Sequence, residues 1–226
     1  MTLHHPLYQA TGTFPPGALL FDMDGLMVDS EPLWFQVEGD FARSRGGHWT
    51  EAMARTCTGQ GTAKTLGFMS ETFGFPVEVE RDKAGIVEAF IGRVGELVLK
   101  PGCVELLAEA RGKVPLALAS SSPMRLIEAV LRRFDLAPLF SAVVSGESVT
   151  SPKPAPDIFL RTAERLGVGA ERCVVLEDSF AGATAGHAAG MFVIAVPEGS
   201  HEGRGFEAVA HVIAPDLFAA RKHLTL

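Results

Sequence analysis

The sequence predicts an α/β fold in which a doubly wound parallel sheet carries an inserted helical cap. Three observations predict it: five short apolar runs, helical patterns between the later runs, and about 90 residues between the first run and the second. Continuous short apolar runs are typical of strands buried on both faces, and their alternation with helices favours parallel pairing. Because one crossover connection needs far fewer residues, we expect a separate unit in the long interval.

The apolar runs define the predicted strands. In chain order they are Ala18–Phe21, Val114–Ala119, Ala142–Val144, Cys173–Leu176 and Phe192–Val196. Between the second and third runs, Leu126, Val130 and Phe134 recur at the spacing of one helix face, after a proline suited to a first helical turn. Two further helices are predicted at Asp157–Leu166 and Ala181–Ala189, because each segment ends directly before a glycine.

The same patterns divide the chain into a core, a cap and a tail. We expect residues 17–30 and 99–226 to form the core, residues 31–98 the helical cap, and residues 1–16 a flexible N-terminal tail. Within the cap, apolar residues recur at helical spacing, and glycine and proline residues interrupt the pattern. The tail is rich in turn-forming and polar residues, which predicts little regular structure.

Composition and charge argue against several classes of protein. The 226 residues include 20 Lys plus Arg and 27 Asp plus Glu, so the formal net charge is −7. This balance argues against nucleic-acid binding, which needs a basic face. No apolar run approaches the roughly 18 residues that span a membrane, and the N-terminus lacks a secretory pattern. Three separated cysteines without CxxC spacing predict neither a zinc knuckle nor a disulfide framework, so we expect a reducing, cytoplasmic location.

Polar side chains follow four of the predicted strands, close to the point where each strand ends. In chain order they are Asp22 and Asp24, then Ser120, Ser121 and Ser122, then Lys153, and finally Glu177 and Asp178. Because ligands bind beyond the carboxyl ends of the strands in open α/β sheets, we expect these side chains to form one site.

The charges expected at this edge predict a phosphate site with a metal ion. Four carboxylates that lie close together cannot all stay ionised without compensation. Lys153 supplies one positive charge, and a hard divalent cation with oxygen ligands, Mg²⁺ above all, would supply more. A cation, a lysine, a hydroxyl and backbone N–H groups at helix starts together bind phosphate. The site therefore favours phosphoryl transfer, whose transition state carries spread negative charge.

The spacing of the two aspartates suggests distinct roles for them. On an extended segment, residues two apart lie on the same side, so Asp22 and Asp24 can face one substrate. We interpret Asp22 as a nucleophile that forms an aspartyl-phosphate and Asp24 as the general acid and base. Gly25 then allows the chain to turn sharply after the pair.

Four motifs, in this order, resemble those of the haloacid dehalogenase superfamily. They are Phe21–Glu31 (FDMDGLMVDSE), Leu118–Ser120 (LAS), Ser151–Asp157 (SPKPAPD) and Leu176–Ser179 (LEDS). The sequence is most similar to the β-phosphoglucomutase-like phosphatases, in which a helical cap follows the first strand. The resemblance covers residues 18 to about 196 and implies a Mg²⁺-dependent phosphatase of a small phosphorylated metabolite, such as a sugar phosphate.

The resemblance also implies roles for individual residues. The groups that it implies for the phosphoryl group are Ser120, the Ser121 backbone and Lys153. The metal ligands that it implies are Asp22, the Asp24 carbonyl and Asp178, with Glu177 assisting. Apart from the resemblance, we expect substrate contacts from the cap at Glu31, Gln60 and Lys64, because residues 31–98 offer few charged or polar positions for this role. Ser122 is expected to cap the following helix, and a monomer is expected because one cap can shield one site.

Two alternative functions remain open. Phosphosugar mutases resemble the chain throughout the four motifs, but they carry a histidine where Trp34 stands and an arginine where Thr62 stands. We therefore favour hydrolysis over a β-phosphoglucomutase-type reaction. A non-catalytic protein that binds a phosphorylated metabolite is the further alternative, and it ranks lower because every catalytic residue type is present.

Overall fold

The computed structural model describes residues 5–57, 61–198 and 205–226. The chain forms two compact units: one contains the chain up to Asp29 and from Leu99 onward, and the other is Ser30–Val98. The predicted cap, residues 31–98, differs from the smaller unit by one residue. Among the described residues, no helix is long and apolar enough to cross a membrane.

The larger unit contains a parallel sheet with six strands among the described residues. The strands are β1 (Ala18–Phe21), β2 (Leu116–Ser120), β3 (Ala142–Ser145), β4 (Cys173–Glu177), β5 (Phe192–Ala195) and β6 (Val212–Ile213). Their spatial order is β3-β2-β1-β4-β5-β6, and every neighbouring pair is parallel. This topology confirms the predicted α/β fold with a doubly wound parallel sheet, and it places β1 between β2 and β4.

The described helices alternate with these strands or belong to the smaller unit. They are α1 (Pro6–Thr11), α2 (Glu31–Ser44), α3 (Glu51–Cys57), α4 (Thr62–Phe73), α5 (Val79–Ile91), α6 (Cys103–Ala110), α7 (Met124–Arg133), α8 (Asp157–Leu166), α9 (Phe180–Ala188) and α10 (Leu217–Arg221). Short 3₁₀ turns lie at Val94–Glu96, Ala137–Leu139, Gly146–Ser148, Ala170–Arg172 and Phe206–Ala208. The predicted helix at Asp157–Leu166 is confirmed at both ends, and the one at Ala181–Ala189 lies one residue earlier.

Burial explains why the strands lack polar alternation. All four residues of β1 are fully buried. Leu20 pairs with Ala117 on one side and Val175 on the other, and all three belong to the same apolar cluster. Helix α9 packs closely on this face, because a Cβ at Gly186 would lie only 3.1 Å from side-chain atoms of Val175 and Val193. The sheet edge that carries the polar side chains therefore rests on a tightly packed support.

The N-terminal segment differs from the prediction of a flexible tail over residues 1–16. Among its described residues, Pro6–Thr11 form α1. Phe14 is only 2% exposed and stacks on Phe192 with 4.4 Å between ring centroids, while the Tyr8 hydroxyl lies 2.5 Å from His223 Nδ1. The aromatic side chains of this segment pack against the rest of the larger unit. This packing decides the structure of the segment, although its composition favours turns. Residues 1–4 lie outside the described residues.

The smaller unit, helices α2–α5, has its own apolar core. The buried members of that core are Ala42, Trp49, Cys57, Met69 and Phe75. Arg45 Nη2 lies 2.8 Å from Asp82 Oδ1, and Asp82 Oδ2 accepts a hydrogen bond from the Glu78 N–H at 2.9 Å. Burial alone would raise the pKa of Asp82. The hydrogen bonds from the Glu78 N–H and from Arg45 outweigh burial and hold this pKa below its ordinary value.

Candidate active site

Asp22 lies at the carboxyl end of the central strand β1. Its backbone N–H donates to the Leu176 carbonyl at 3.1 Å, which extends the pairing of β1 with β4 by one residue. The chain then turns at Gly25, whose φ is +82°, and a Cβ there would collide with the Asp178 carboxylate. Glycine is therefore required at this position for backbone conformation and for close approach of the fourth motif.

Lys153 joins the predicted nucleophile to the carboxylate at the end of β4. Its Nζ donates to Asp22 Oδ1 at 2.6 Å, to the Ala119 carbonyl at 3.2 Å, and to Glu177 Oε1. The Lys153 side chain is only 6% exposed. A buried ammonium group requires such partners, because an unpaired charge in the interior is strongly unfavourable.

Glu177 is fixed from two sides. Its Oε1 accepts from Lys153, while its Oε2 accepts from the Ser179 N–H at 3.0 Å and the Ser179 hydroxyl at 2.9 Å. The Ser179 Oγ in turn accepts from the Gly182 N–H at 3.0 Å and so caps α9. A side chain at Gly182 would collide with the Glu177 carboxylate. Ser179, at the start of α9, therefore orients Glu177, and Glu177 in turn orients Lys153.

The three buried carboxylates are short of positive charge. Burial raises the pKa of Asp22 to about 8, with Lys153 lowering it and Glu177 raising it further. Burial and the neighbouring Glu177 also raise the pKa of Asp178 well above its ordinary range. For Lys153, burial lowers the pKa, but Asp22 and Glu177 outweigh that effect and raise it. Lys153 alone does not compensate the cluster.

These carboxylates have the chemistry of a metal site. Ligand oxygens of Asp22, Glu177 and Asp178 all lie within 4.8 Å of one another, and all three residues are buried. A set of carboxylate oxygens with unmet charge fits a hard divalent cation better than a soft metal, which prefers sulfur. The cluster could therefore hold such an ion.

Asp24 is half-buried, and a serine contacts one of its carboxylate oxygens. The Ser122 hydroxyl donates to Asp24 Oδ2 at 2.7 Å. The interpretation of Ser122 as a helix cap is therefore wrong: α7 begins at Met124, after Pro123, and the Met124 N–H donates to Glu147 Oε2 at 2.9 Å. Proline supplies the turn into the helix, which leaves the serine hydroxyl available for a contact distant in the sequence.

The other two serines lie directly before Ser122, at the end of β2 and in the loop that follows it. Ser120 is buried at the end of β2, and its Oγ accepts from the Ser122 N–H at 3.1 Å. Ser121 is exposed. Ser120 and Ser121 thus precede Ser122, the residue that contacts Asp24, and their roles in phosphoryl binding stay predictions.

The predicted cap contacts belong to the smaller unit and remain predictions. Glu31 is the first residue of α2 and is half-buried, whereas Lys64 is exposed in the first turn of α4. Gln60 lies outside the described residues. Trp34, on which the expectation of hydrolysis over a mutase reaction partly rests, packs on Phe90 with 4.2 Å between ring centroids.

Sequence reasoning missed two contributors near the acidic cluster. Ser179 is the last residue of the fourth motif and lies three residues before Gly182, a spacing that predicts a helix N-cap and could have identified it. Glu198 raises the pKa of Asp178 by its charge and pairs with Lys100, but no local pattern links these distant positions.

Comparison with known proteins identifies the family. The family described as haloacid dehalogenase-like hydrolase matches residues 16–190. The phosphorylated carbohydrates phosphatase of Thermotoga maritima is 37% identical over 176 residues, which are 77% of this chain and 82% of that protein. Hexitol phosphatase B of Escherichia coli (strain K12) is 35% identical over 198 residues, with 80% and 83% coverage. CbbY from Rhodobacter sphaeroides, crystallised in complex with phosphate, has a TM-score of 0.81 at 27% identity, with 89% and 95% coverage.

The fold and the carboxylate–lysine site are those of a hydrolytic enzyme built on a parallel α/β sheet. The chain belongs to the haloacid dehalogenase-like hydrolases, because the family match covers most of its length and relatives above 30% identity support it. The family predicted from the four sequence motifs is thereby confirmed.

Proposed function

We propose that this chain is a Mg²⁺-dependent phosphatase that hydrolyses a small phosphorylated metabolite of the sugar-phosphate class. The observation that carries the proposal is the contact of the buried Lys153 ammonium with Asp22, at 2.6 Å, beside Glu177 and Asp178. The substrate class is supported by two relatives, which are named phosphorylated carbohydrates phosphatase and hexitol phosphatase B.

In the first step, a carboxylate oxygen of Asp22 attacks phosphorus and the bond from phosphorus to the ester oxygen breaks. Asp24 donates a proton to that oxygen, so the alcohol leaves neutral. The products are the free alcohol and an aspartyl-phosphate on Asp22. The ammonium of Lys153, already against Asp22, favours the ionised form of the nucleophile and offsets the charge of the arriving phosphoryl group.

In the second step, Asp24 accepts a proton from water as the water oxygen bonds to phosphorus. The bond from phosphorus to the Asp22 oxygen breaks, which releases inorganic phosphate and restores the carboxylate. The Ser120 hydroxyl and the Ser121 backbone N–H are the proposed donors to the phosphoryl oxygens, because Ser120 ends β2 and Ser121 follows it at the same sheet edge.

The donor set described above fits Mg²⁺. Asp22, the Asp24 carbonyl and Asp178 would hold the ion, and Glu177, whose oxygens bond to Lys153 and Ser179, would assist. When bound, Mg²⁺ supplies positive charge that neutralises the carboxylates and the phosphoryl oxygens.

A phosphometabolite panel tests the proposal. Hexose 6-phosphates, β-glucose 1-phosphate and p-nitrophenyl phosphate are each supplied with Mg²⁺, with and without EDTA, and free phosphate is measured. We expect metal-dependent phosphate release from at least one sugar phosphate and none from the Asp22→Asn protein, because an amide cannot form the acyl phosphate. Glu31, Gln60 and Lys64 are the proposed specificity residues, and their alanine variants should change KM more than kcat.

Two outcomes would replace the proposal. Stoichiometric conversion of β-glucose 1-phosphate to the 6-phosphate without phosphate release would indicate a mutase. Binding of phosphorylated compounds with no metal-dependent turnover on any of them would indicate a non-catalytic protein.

A further inference from the structure

We propose that Ser122 is a positioning residue that holds the Asp24 carboxyl group for proton transfer to the leaving oxygen. This inference rests on the proposed phosphatase function and deepens it, because it names a residue through which the general acid acts. The contact that points to it is the hydrogen bond from Ser122 Oγ to Asp24 Oδ2, at 2.7 Å.

Ser122 is itself firmly held. Ser122 is only 9% exposed, and its N–H donates to Ser120 Oγ at 3.1 Å. Its carbonyl accepts from the Ser145 hydroxyl at 2.7 Å, and Ser145 is 1% exposed at the end of β3. The Ser145 Oγ also accepts from the Glu147 N–H at 3.1 Å. The hydroxyl that contacts Asp24 is therefore fixed in space before any substrate binds.

These bonds connect three strand ends. Ser145 is the last residue of β3, Ser122 lies in the loop after β2, and Asp24 lies in the turn after β1. The loops approach so closely that a Cβ at Gly146 would lie 3.0 Å from the Ser121 carbonyl oxygen. The position of the Asp24 carboxyl group thus depends on the packing of the sheet edge and not only on its own backbone.

Fixed position matters for the acid more than for substrate binding. Proton transfer requires the carboxyl oxygen within hydrogen-bond distance of the leaving oxygen, and small displacements cost large factors in rate. Without Ser122 Oγ, Asp24 Oδ2 loses a hydrogen bond that restricts the rotamers of the side chain. We expect Ser122→Ala to lower kcat on a sugar phosphate by about 10–100-fold, the scale of one hydrogen bond to a charged group, with KM changed less than about 2-fold.

The substrate dependence separates positioning from a structural role. A sugar alkoxide is a poor leaving group that needs a proton, whereas p-nitrophenolate leaves without one. Ser122→Ala should therefore lower kcat strongly on a hexose 6-phosphate and less than about 3-fold on p-nitrophenyl phosphate, in line with loss of general acid catalysis alone. Ser122→Cys, which preserves volume with a weaker donor, should show the same substrate dependence and serves if the alanine variant folds poorly.

A matched control is available in the same region. Ser148→Ala removes a hydroxyl that donates to the Ser145 carbonyl at 2.7 Å, outside the bonds that reach Asp24, and should leave both rates unchanged. If Ser122→Ala lowers kcat equally on the two substrates, or on neither, the inference is overturned. The proposed function would still stand in that case, provided that the wild-type protein is active. A wild-type protein inactive on every phosphate ester would overturn both.

Discussion

Glu38 provides a quantitative test of the electrostatics inside the smaller unit. It is a buried carboxyl group on α2, only 9% exposed, and burial raises its pKa from 4.5 to about 7. A raised pKa means that the folded protein disfavours the ionised form relative to the unfolded chain. Glu38→Gln removes the ionisable group and keeps nearly the same size and shape.

The shift sets the size and the sign of the effect. Between pH 4.5 and 7 the folded state binds more protons at Glu38 than the unfolded state, so the free energy of unfolding falls as pH rises. A difference of 2.5 between the two pKa values corresponds to about 3 kcal/mol, lost fully above pH 7. Glu38→Gln should therefore stabilise the unit by about 3 kcal/mol at pH 8 and by less than about 1 kcal/mol at pH 5.

Urea denaturation followed by tryptophan fluorescence measures this directly. The chain has two tryptophans, Trp34 and Trp49, and both lie in the smaller unit, so the signal reports that unit. Glu71→Gln, at an exposed position of α4, is the matched control and should change stability by less than about 0.5 kcal/mol at either pH. A Glu38→Gln protein with the same stabilisation at both pH values, or one destabilised at pH 8, would refute the reasoning.

Three further predictions concern the larger unit. Asp24→Asn should lower kcat by about 10²–10⁴-fold on sugar phosphates and much less on p-nitrophenyl phosphate, measured by phosphate release; equal losses would contradict its role as the acid. Lys153→Met should abolish turnover. Because it leaves the buried Asp22 and Glu177 without their ammonium partner, it should also lower the free energy of unfolding in urea by about 3 kcal/mol. Wild-type stability of this variant would show that the two ion pairs contribute nothing to folding. Gly182→Ala should lower stability by about 1–3 kcal/mol, since its Cβ would collide with Glu177, whereas Gly85→Ala, in open space on α5, should be neutral or stabilising; equal effects on thermal unfolding would contradict the close packing.

Much of the fold could be predicted because the sheet is buried on both faces. Five strands follow from continuous apolar runs, and the site follows from polar residues that end those runs. Strand β6 has only two residues, too few for any pattern. Helix α1 forms in a polar segment that is anchored by Phe14 against Phe192, a contact between distant parts of the chain.

The site shows the same division between local and distant information. The motifs that contain Asp22 and Asp178 are local, and the parallel sheet brings them to one edge. The hydrogen bond from Ser122 to Asp24 joins positions 98 residues apart and depends on side-chain rotamers. A serine before a proline and a helix has a plausible local role as a cap, so the sequence alone favoured the wrong partner.

The central claim is that Asp22 becomes covalently phosphorylated during turnover. The most direct measurement is mass spectrometry of the protein quenched in acid while it turns over a sugar phosphate in the presence of Mg²⁺, followed by peptide mapping. The account predicts the added mass of one phosphoryl group on the peptide that contains Asp22, absent from the Asp22→Asn protein. Steady phosphate release with no phosphoryl group on that peptide, or with undiminished activity of Asp22→Asn, would contradict it.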